Sequence, residues 1–148
     1  MNYLLDSNTV SDLYDKFSED YPKISQKLLS LTDNDQVYIS ILTLYELEYG
    51  WANAPDEKKE VIRQKITEVQ EDFEVLPLSA QGARIFGELK KAIKDSRSLS
   101  KENIKKYNID LMMAATAMTA NCILVSADTL YPELQHVNGA LQLDNWIV

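Results

Sequence analysis

Short apolar runs bounded by polar turns alternate along this chain with longer stretches in which apolar residues recur every three or four positions. Asn2 to Leu5 is a run of the first kind; it ends at Asp6 and is followed by Ser7, Asn8 and Thr9, all good helix-capping or turn residues. Val10, Leu13, Tyr14 and Phe17 then repeat at helical steps, as do Ile24, Leu28 and Leu31 after Pro22, which predicts two short amphipathic helices. Val37 to Ser40 is β-branched and aromatic and reads as a second strand. A helix opens at Thr43 and runs to about Ala52, and another runs from Pro55 to about Gln70 with Val61, Ile62, Ile66 and Val69 on one side. Phe73 to Leu76 is a third strand. Ser79 caps a helix carrying Ala83, Phe86, Leu89, Lys90 and Ile93, and a polar loop follows from about Asp95. The chain closes on an apolar helix from Ile109 to Thr119, a strand from Cys122 to Val125 and a fifth strand from Leu141 to Leu143. Strands alternating with helices imply parallel pairing and right-handed crossovers, so the expected fold is one α/β domain over residues 1–148. It is a three-layer α/β/α sandwich on a mostly parallel sheet of four to five strands.

Composition narrows the chemistry. The 148 residues carry 15 Lys and Arg against 23 Asp and Glu, a formal charge of −8, and 45% of them are hydrophobic, enough for one ordered core. The longest apolar run, Leu111 to Met118, is far shorter than the roughly 20 residues of a membrane helix, and the amino-terminal residues lack an export signal. Cys122 is the one cysteine and reads as a small buried thiol, so a cytoplasmic protein is expected. His136 is the one histidine, which leaves a Ser-His-Asp triad dependent on it and a Cys/His zinc site short of ligands. Carboxylates are therefore the expected working groups.

In a parallel sheet ligands bind beyond the carboxyl ends of the strands. Asp6 directly follows the first strand and Asp128 follows the fourth by three residues; Glu46 lies on the helix leaving the second strand, and Asp110 in the first turn of the helix leading to the fourth. Crossovers bring such acids, distant in sequence, to one edge. Hard oxygen donors without His or Cys select Mg²⁺ or Mn²⁺, and the chemistry such a site supports is attack of metal-activated water on a phosphodiester. Each acid taken singly has a plainer structural explanation. Thr43 and Glu46 match a capping box, Asp110 suits a helix dipole, Asp6 caps a helix and Asp128 makes a turn.

Their joint setting resembles a known family. Asp6-Ser7-Asn8 after an apolar strand, Ser40 to Gly50 around Glu46, Ile109 to Ala117 around Asp110, Leu124 to Asp128, and a closing Asn145-Trp146 look like the PIN-domain ribonucleases, most of all the VapC-type toxins of bacterial toxin–antitoxin modules. The resemblance runs the full length in order. It implies that Asp6, Glu46, Asp110 and Asp128 are the catalytic, metal-binding acids, with Asn8 supporting the first. Ser126-Ala127 stands where the family often has Thr and then Asn or Arg; Ser126 still offers a hydroxyl, and Tyr131 supplies the aromatic that usually follows the last acid. Further implications are an RNA substrate, a cognate antitoxin lying in a groove near the site, and a homodimer built through helices. Glu48, two residues beyond Glu46, points about 200° away on a helix and is expected at the surface. Two rivals stand beside this reading: a catalytically degenerate module that only binds RNA or protein, and a haloacid-dehalogenase-like phosphatase opening on Asp6, in which Asn8 replaces the second aspartate.

The charge is unevenly spread. Arg84 to Lys106 holds eight basic residues and three acids, a net of +5, so the rest of the chain carries −13. A local basic strip is what RNA phosphates require, and Lys101, Lys105 and Lys106 lead directly into Asp110. They are the expected RNA-guiding residues; the plainer alternative is a solvated helix face and loop.

Overall fold

Successive residues of the central strands enter different cores, as a pleated strand requires. The computed structural model describes Met1–Val148. It contains five strands, β1 (Asn2–Leu5), β2 (Gln36–Ser40), β3 (Glu74–Leu76), β4 (Ile123–Val125) and β5 (Gln142–Asp144), in the spatial order β3-β2-β1-β4-β5. Every pairing is parallel, with Leu4 of β1 registered between Tyr38 and Leu124. Tyr3, Leu5, Ile39 and Val125 pack on one face with α1 (Ser7–Leu13), α2 (Tyr21–Leu29) and α4 (Asp56–Asp72) through Val10, Ile24 and Val69. Leu4 and Leu124 pack on the other with α5 (Ala80–Ser96), α6 (Asn108–Thr119) and α7 (Leu130–Val137) through Leu89, Leu111 and Leu134. Helix α3 (Ile41–Ala52) leaves the carboxyl end of β2 and gives Leu42 to one core and Leu44 to the other. The three-layer α/β/α architecture expected from the sequence is therefore present.

Helix α6 is apolar on almost every side because it is covered on almost every side. Ala114 and Ala117 are fully buried and admit α5 at close range. No helix is long and apolar enough to cross a membrane.

Several local expectations change. Helix α3 begins at Ile41, with the Ser40 hydroxyl accepting from the Leu42 amide at 3.0 Å, so Thr43 and Glu46 lie inside it and form no capping box. Phe17 leaves the helical pattern because α1 stops at Leu13; its side chain is 99% exposed. The polar stretch after α5 contains a 3₁₀ turn at Asn103–Tyr107, anchored by buried Ile104. Helix α7 is absent from the sequence reading. Pro132 discourages it, yet a proline in a first turn removes no intrahelical hydrogen bond, and Asp128 Oδ1 accepts from the Leu130 amide at 2.9 Å to start the helix.

Candidate active site

The sheet reverses its order of addition between β1 and β4: β2 and β3 extend it to one side, β4 and β5 to the other. At such a switch point the outgoing chains separate and leave a crevice beyond the strand ends. Asp6 leaves β1 on one side of it, and Ser126 and Asp128 leave β4 on the other. The backbone amide of Asp6 donates to the Val125 carbonyl at 3.0 Å, which sets the distance between the two exits.

Asp6 is buried and is the N-cap of α1. Its Oδ1 accepts from the Ser7 amide at 2.8 Å and its Oδ2 from the Ser126 hydroxyl at 2.7 Å. Burial raises its pKa; the two hydrogen bonds oppose that, and the charges of Asp128 and Glu46 add to it. The Ser126 hydroxyl also accepts from the Asp128 amide at 3.1 Å, so one side chain ties the first acid to the loop that carries the fourth. Glu46 is exposed on α3; its Oε1 accepts from the Ser7 hydroxyl at 2.7 Å, and that hydroxyl in turn accepts from buried Thr43 at 2.9 Å. A chain of hydroxyls thus couples the second acid to the residue after the first.

Asp110 sits half-buried in the first turn of α6, and its pKa is pushed up to about 6, first by burial and then by the charges of Asp128, Asp6 and Glu46. All four acids therefore face one electrostatic region. No three of them close within ligating distance of a single point. Beneath them lies Tyr131, 1% exposed, whose hydroxyl has no satisfied hydrogen bond and whose pKa is raised by burial and by the charges of Asp6, Asp110 and Asp128. A phenol held neutral beside carboxylates presents an O–H donor to them.

Asn8 is exposed and makes no hydrogen bond to Asp6; the support expected from it comes from Ser126 and Ser7 instead. Asn8 is an amide with no acidic proton to transfer, so it does not supply the acid role that the phosphatase alternative needs. Ser7 and Thr43 are the participants that sequence reasoning missed. Their signal was present in the hydroxyl after Asp6 and in a buried Thr one turn before Glu46, but only contact between α1 and α3 gives it meaning. Glu48 is at the surface as expected, in a bidentate pair with Arg63 at 2.8 and 2.9 Å, while Arg63 stacks on Trp51.

Of the basic strip, Arg84, Lys91, Arg97 and Lys105 are paired with acids. Lys101 is exposed without an ion pair, and Lys106 lies over the Tyr107 ring, three residues before Asp110. Arg97 joins Glu133 of α7 to the hydroxyl of Tyr107 and so braces the two elements that flank Asp110.

Comparison with known proteins bears on the family and the fold. The family model described as PIN domain matches residues 3–137. The fold is similar to that of VapBC2 from Rickettsia felis bound to a DNA fragment from its promoter, with TM-score 0.77, 26% identity and 99% of each chain covered. It is also similar in fold to VapBC-1 from nontypeable Haemophilus influenzae, with TM-score 0.77, 24% identity and coverage of 99% of this chain and 98% of that one. FitAcB from Neisseria gonorrhoeae gives TM-score 0.73 and 22% identity over 98% and 97% of the two chains. No curated protein matches the chain significantly in sequence. With the family model covering nearly the whole chain and the acids gathered at the switch point of the sheet, this protein belongs to the PIN-domain family, whose members are generally nucleases.

Proposed function

We propose that the chain is a divalent-metal-dependent endoribonuclease and the toxin of a toxin–antitoxin pair. The observation that carries the reading is the convergence of four acids from four separate elements: Asp6 and Asp110 have raised pKa values, chiefly from burial and in part from the charges of the other acids, which is disadvantageous for folding alone and suits a cation site. The donors are all carboxylate oxygens, which fits Mg²⁺ or Mn²⁺. Asp6, Glu46, Asp110 and Asp128 would hold the metal with water completing its shell; when bound it supplies a lowered-pKa water and neutralises phosphate charge. Ser126 orients Asp6, and the Thr43–Ser7 chain orients Glu46.

Titration with Mn²⁺ tests this without any substrate. At a hundred times its dissociation constant a ligand of the folded state adds about 2.7 kcal/mol of stability, or a rise of roughly 5–11 °C in Tm for a domain of this size. We expect that rise in the wild-type chain and cleavage of RNA that EDTA abolishes. A Tm indifferent to Mn²⁺ would instead support a degenerate binding module.

Partner readings follow from the surface. A groove of about 750 Å³ lined by Tyr14, Phe17, Tyr21, Val61 and Lys65 shares Tyr14 and Lys65 with a second groove that reaches Glu46. An amphipathic antitoxin segment laid along it would approach the acids, and a basic side chain on that segment would meet their charge. The relatives named above from Rickettsia and Haemophilus are described as VapBC, and this supports the pairing. Tyr45 and Tyr49, one helical turn apart on α3 and 72% and 71% exposed, offer an aromatic contact for a homodimer.

RNA is guided to the acids by Lys101, Lys105 and Lys106. Reversing all three to Glu should weaken cleavage at least about tenfold and flatten its salt dependence, since the slope falls by roughly one for every phosphate that is no longer neutralised. Cleavage measured from low to moderate salt, unchanged in rate and slope, would remove the guiding role.

A further inference from the structure

Asn8 stands four residues before Asp12 on α1, so both side chains lie on one face of the helix. That face opens on a recess of about 400 Å³, whose other walls include the polar Ser126, Asp128, Thr129 and Asn145 and the apolar Trp146 and Ile147. The recess therefore begins at the acid cluster and leads away from it along the ends of β4 and β5. Four of its polar residues keep unused hydrogen-bonding capacity. The Asn8 amide and the Thr129 hydroxyl have no protein partner. Asp12 uses one oxygen to accept from Ser18 at 2.9 Å, and Asn145 uses its carbonyl to accept from the Ile147 amide at 3.0 Å, which leaves its NH₂ free.

We propose that this recess binds the base of the nucleotide next to the scissile phosphate in single-stranded RNA, with guanine preferred. The proposal rests on the nuclease reading of the acid cluster and deepens it. Phosphate is excluded as the occupant because Asp12 repels an anion and no basic side chain lines the recess. An apolar ligand would strand the amide, carboxylate and hydroxyl groups of the walls. A base offers a flat body with donors and acceptors along its edge, and enzymes that act on single strands read that edge in pockets of this kind. Asp12 selects among the bases: a carboxylate only accepts, and guanine alone sets two donors, N1–H and N2–H₂, side by side on its Watson–Crick edge. The adjacent O6 accepts from an amide NH₂, which Asn8 and Asn145 provide. Uracil presents one donor between two acceptors and is the poorest match.

Binding separates this proposal from catalysis. Heptaribonucleotides with uridine at all but the central position, and each of the four bases there, are titrated by fluorescence anisotropy against the Asp6→Asn chain in Mg²⁺. A well-placed bidentate pair of hydrogen bonds discriminates by roughly 5- to 150-fold. We expect central guanine to bind within that margin above uracil, Asp12→Asn to abolish the preference, and Asn8→Ala to weaken it. Side-chain amide resonances of Asn8 and Asn145 should shift on adding guanosine and stay still with uridine. Equal binding of the four bases, or a preference that survives Asp12→Asn, overturns the proposal. If the wild-type chain cleaves no RNA while the Asp12-dependent preference persists, the nuclease reading fails and the recess stands; cleavage without any Asp12-dependent preference is the reverse.

Discussion

Asp6→Asn is expected to abolish RNA cleavage, by about 1000-fold or more, and to leave the metal-free protein as stable as the wild type or more so. The two halves of this expectation have separate causes. Groups that act as one catalytic unit lose most of their effect when any member is removed, and Asp6 is the buried acid between the two exits of the sheet, bonded to the loop that carries Asp128. Asn caps helices about as well as Asp, so its Oδ1 still accepts from the Ser7 amide, and its NH₂ donates to the Ser126 oxygen in place of the bond that the Ser126 hydroxyl donates to Asp6.

Stability follows from the sign of the pKa shift. Asp6 has a raised pKa in the folded chain, chiefly through burial. Its ionised form is therefore disfavoured by folding, and the contribution it makes is present below the unfolded pKa of about 3.9 and lost as pH rises through the folded value. At pH 7 in EDTA the wild type bears this cost and the asparagine variant does not; near pH 3 the two should melt together. Thermal denaturation at both pH values checks it. A large loss of Tm in the variant at pH 7 would show that Asp6 serves the fold, and the Mn²⁺-induced rise should be missing from the variant.

Leu124→Ala should do the opposite. Leu124 is fully buried in β4, beside Leu4 of the central strand and in the core formed with α5, α6 and α7. Truncating a buried leucine costs about 2–5 kcal/mol through forfeited transfer energy and the cavity left behind. In a domain of this length that lowers Tm by roughly 4–20 °C. Yet Leu124 is an apolar core residue in the middle of β4 and makes none of the hydrogen bonds of the acid cluster, so cleavage at a temperature well below the new midpoint should be close to wild type. Urea denaturation gives the stability, and rates at 15 °C give the activity. A variant that kept its stability would show that the core collapses around the gap, and one folded but inactive would tie the β4 core directly to the placement of Ser126 and Asp128.

Much of the fold was legible because its signals are local. Short apolar runs in Asn2–Leu5 and Gln36–Ser40, and three- and four-residue spacing in α4 and α5, depend on what each segment buries, and each segment carries its own record of that. The errors fell where a neighbour decides. Phe17 has the spacing of a core residue, but α1 ends before it. Helix α7 is eight residues long with a proline in its first turn, too short and too irregular to announce itself, and its apolar side is defined by the core it covers. Thr43 and Glu46 match a cap, but Ser40 lies nearer the turn and takes that role.

The candidate site divides in the same way. The sequence by itself determined which residue types are available, and that Asp6 and Asp128 leave parallel strands at their carboxyl ends, since strand and turn signals place them there. Only the tertiary structure decided that β1 and β4 are neighbours, that Ser126 links the first and last acids, that Thr43 and Ser7 reach Glu46, and that Asn8 faces a recess instead of Asp6. The physical reason is the range of the forces involved. Hydrophobic periodicity is written within ten or twenty residues, whereas hydrogen bonds of about 3 Å between residues as far apart as Asp6 and Ser126 exist only once the crossovers have set the order of the strands.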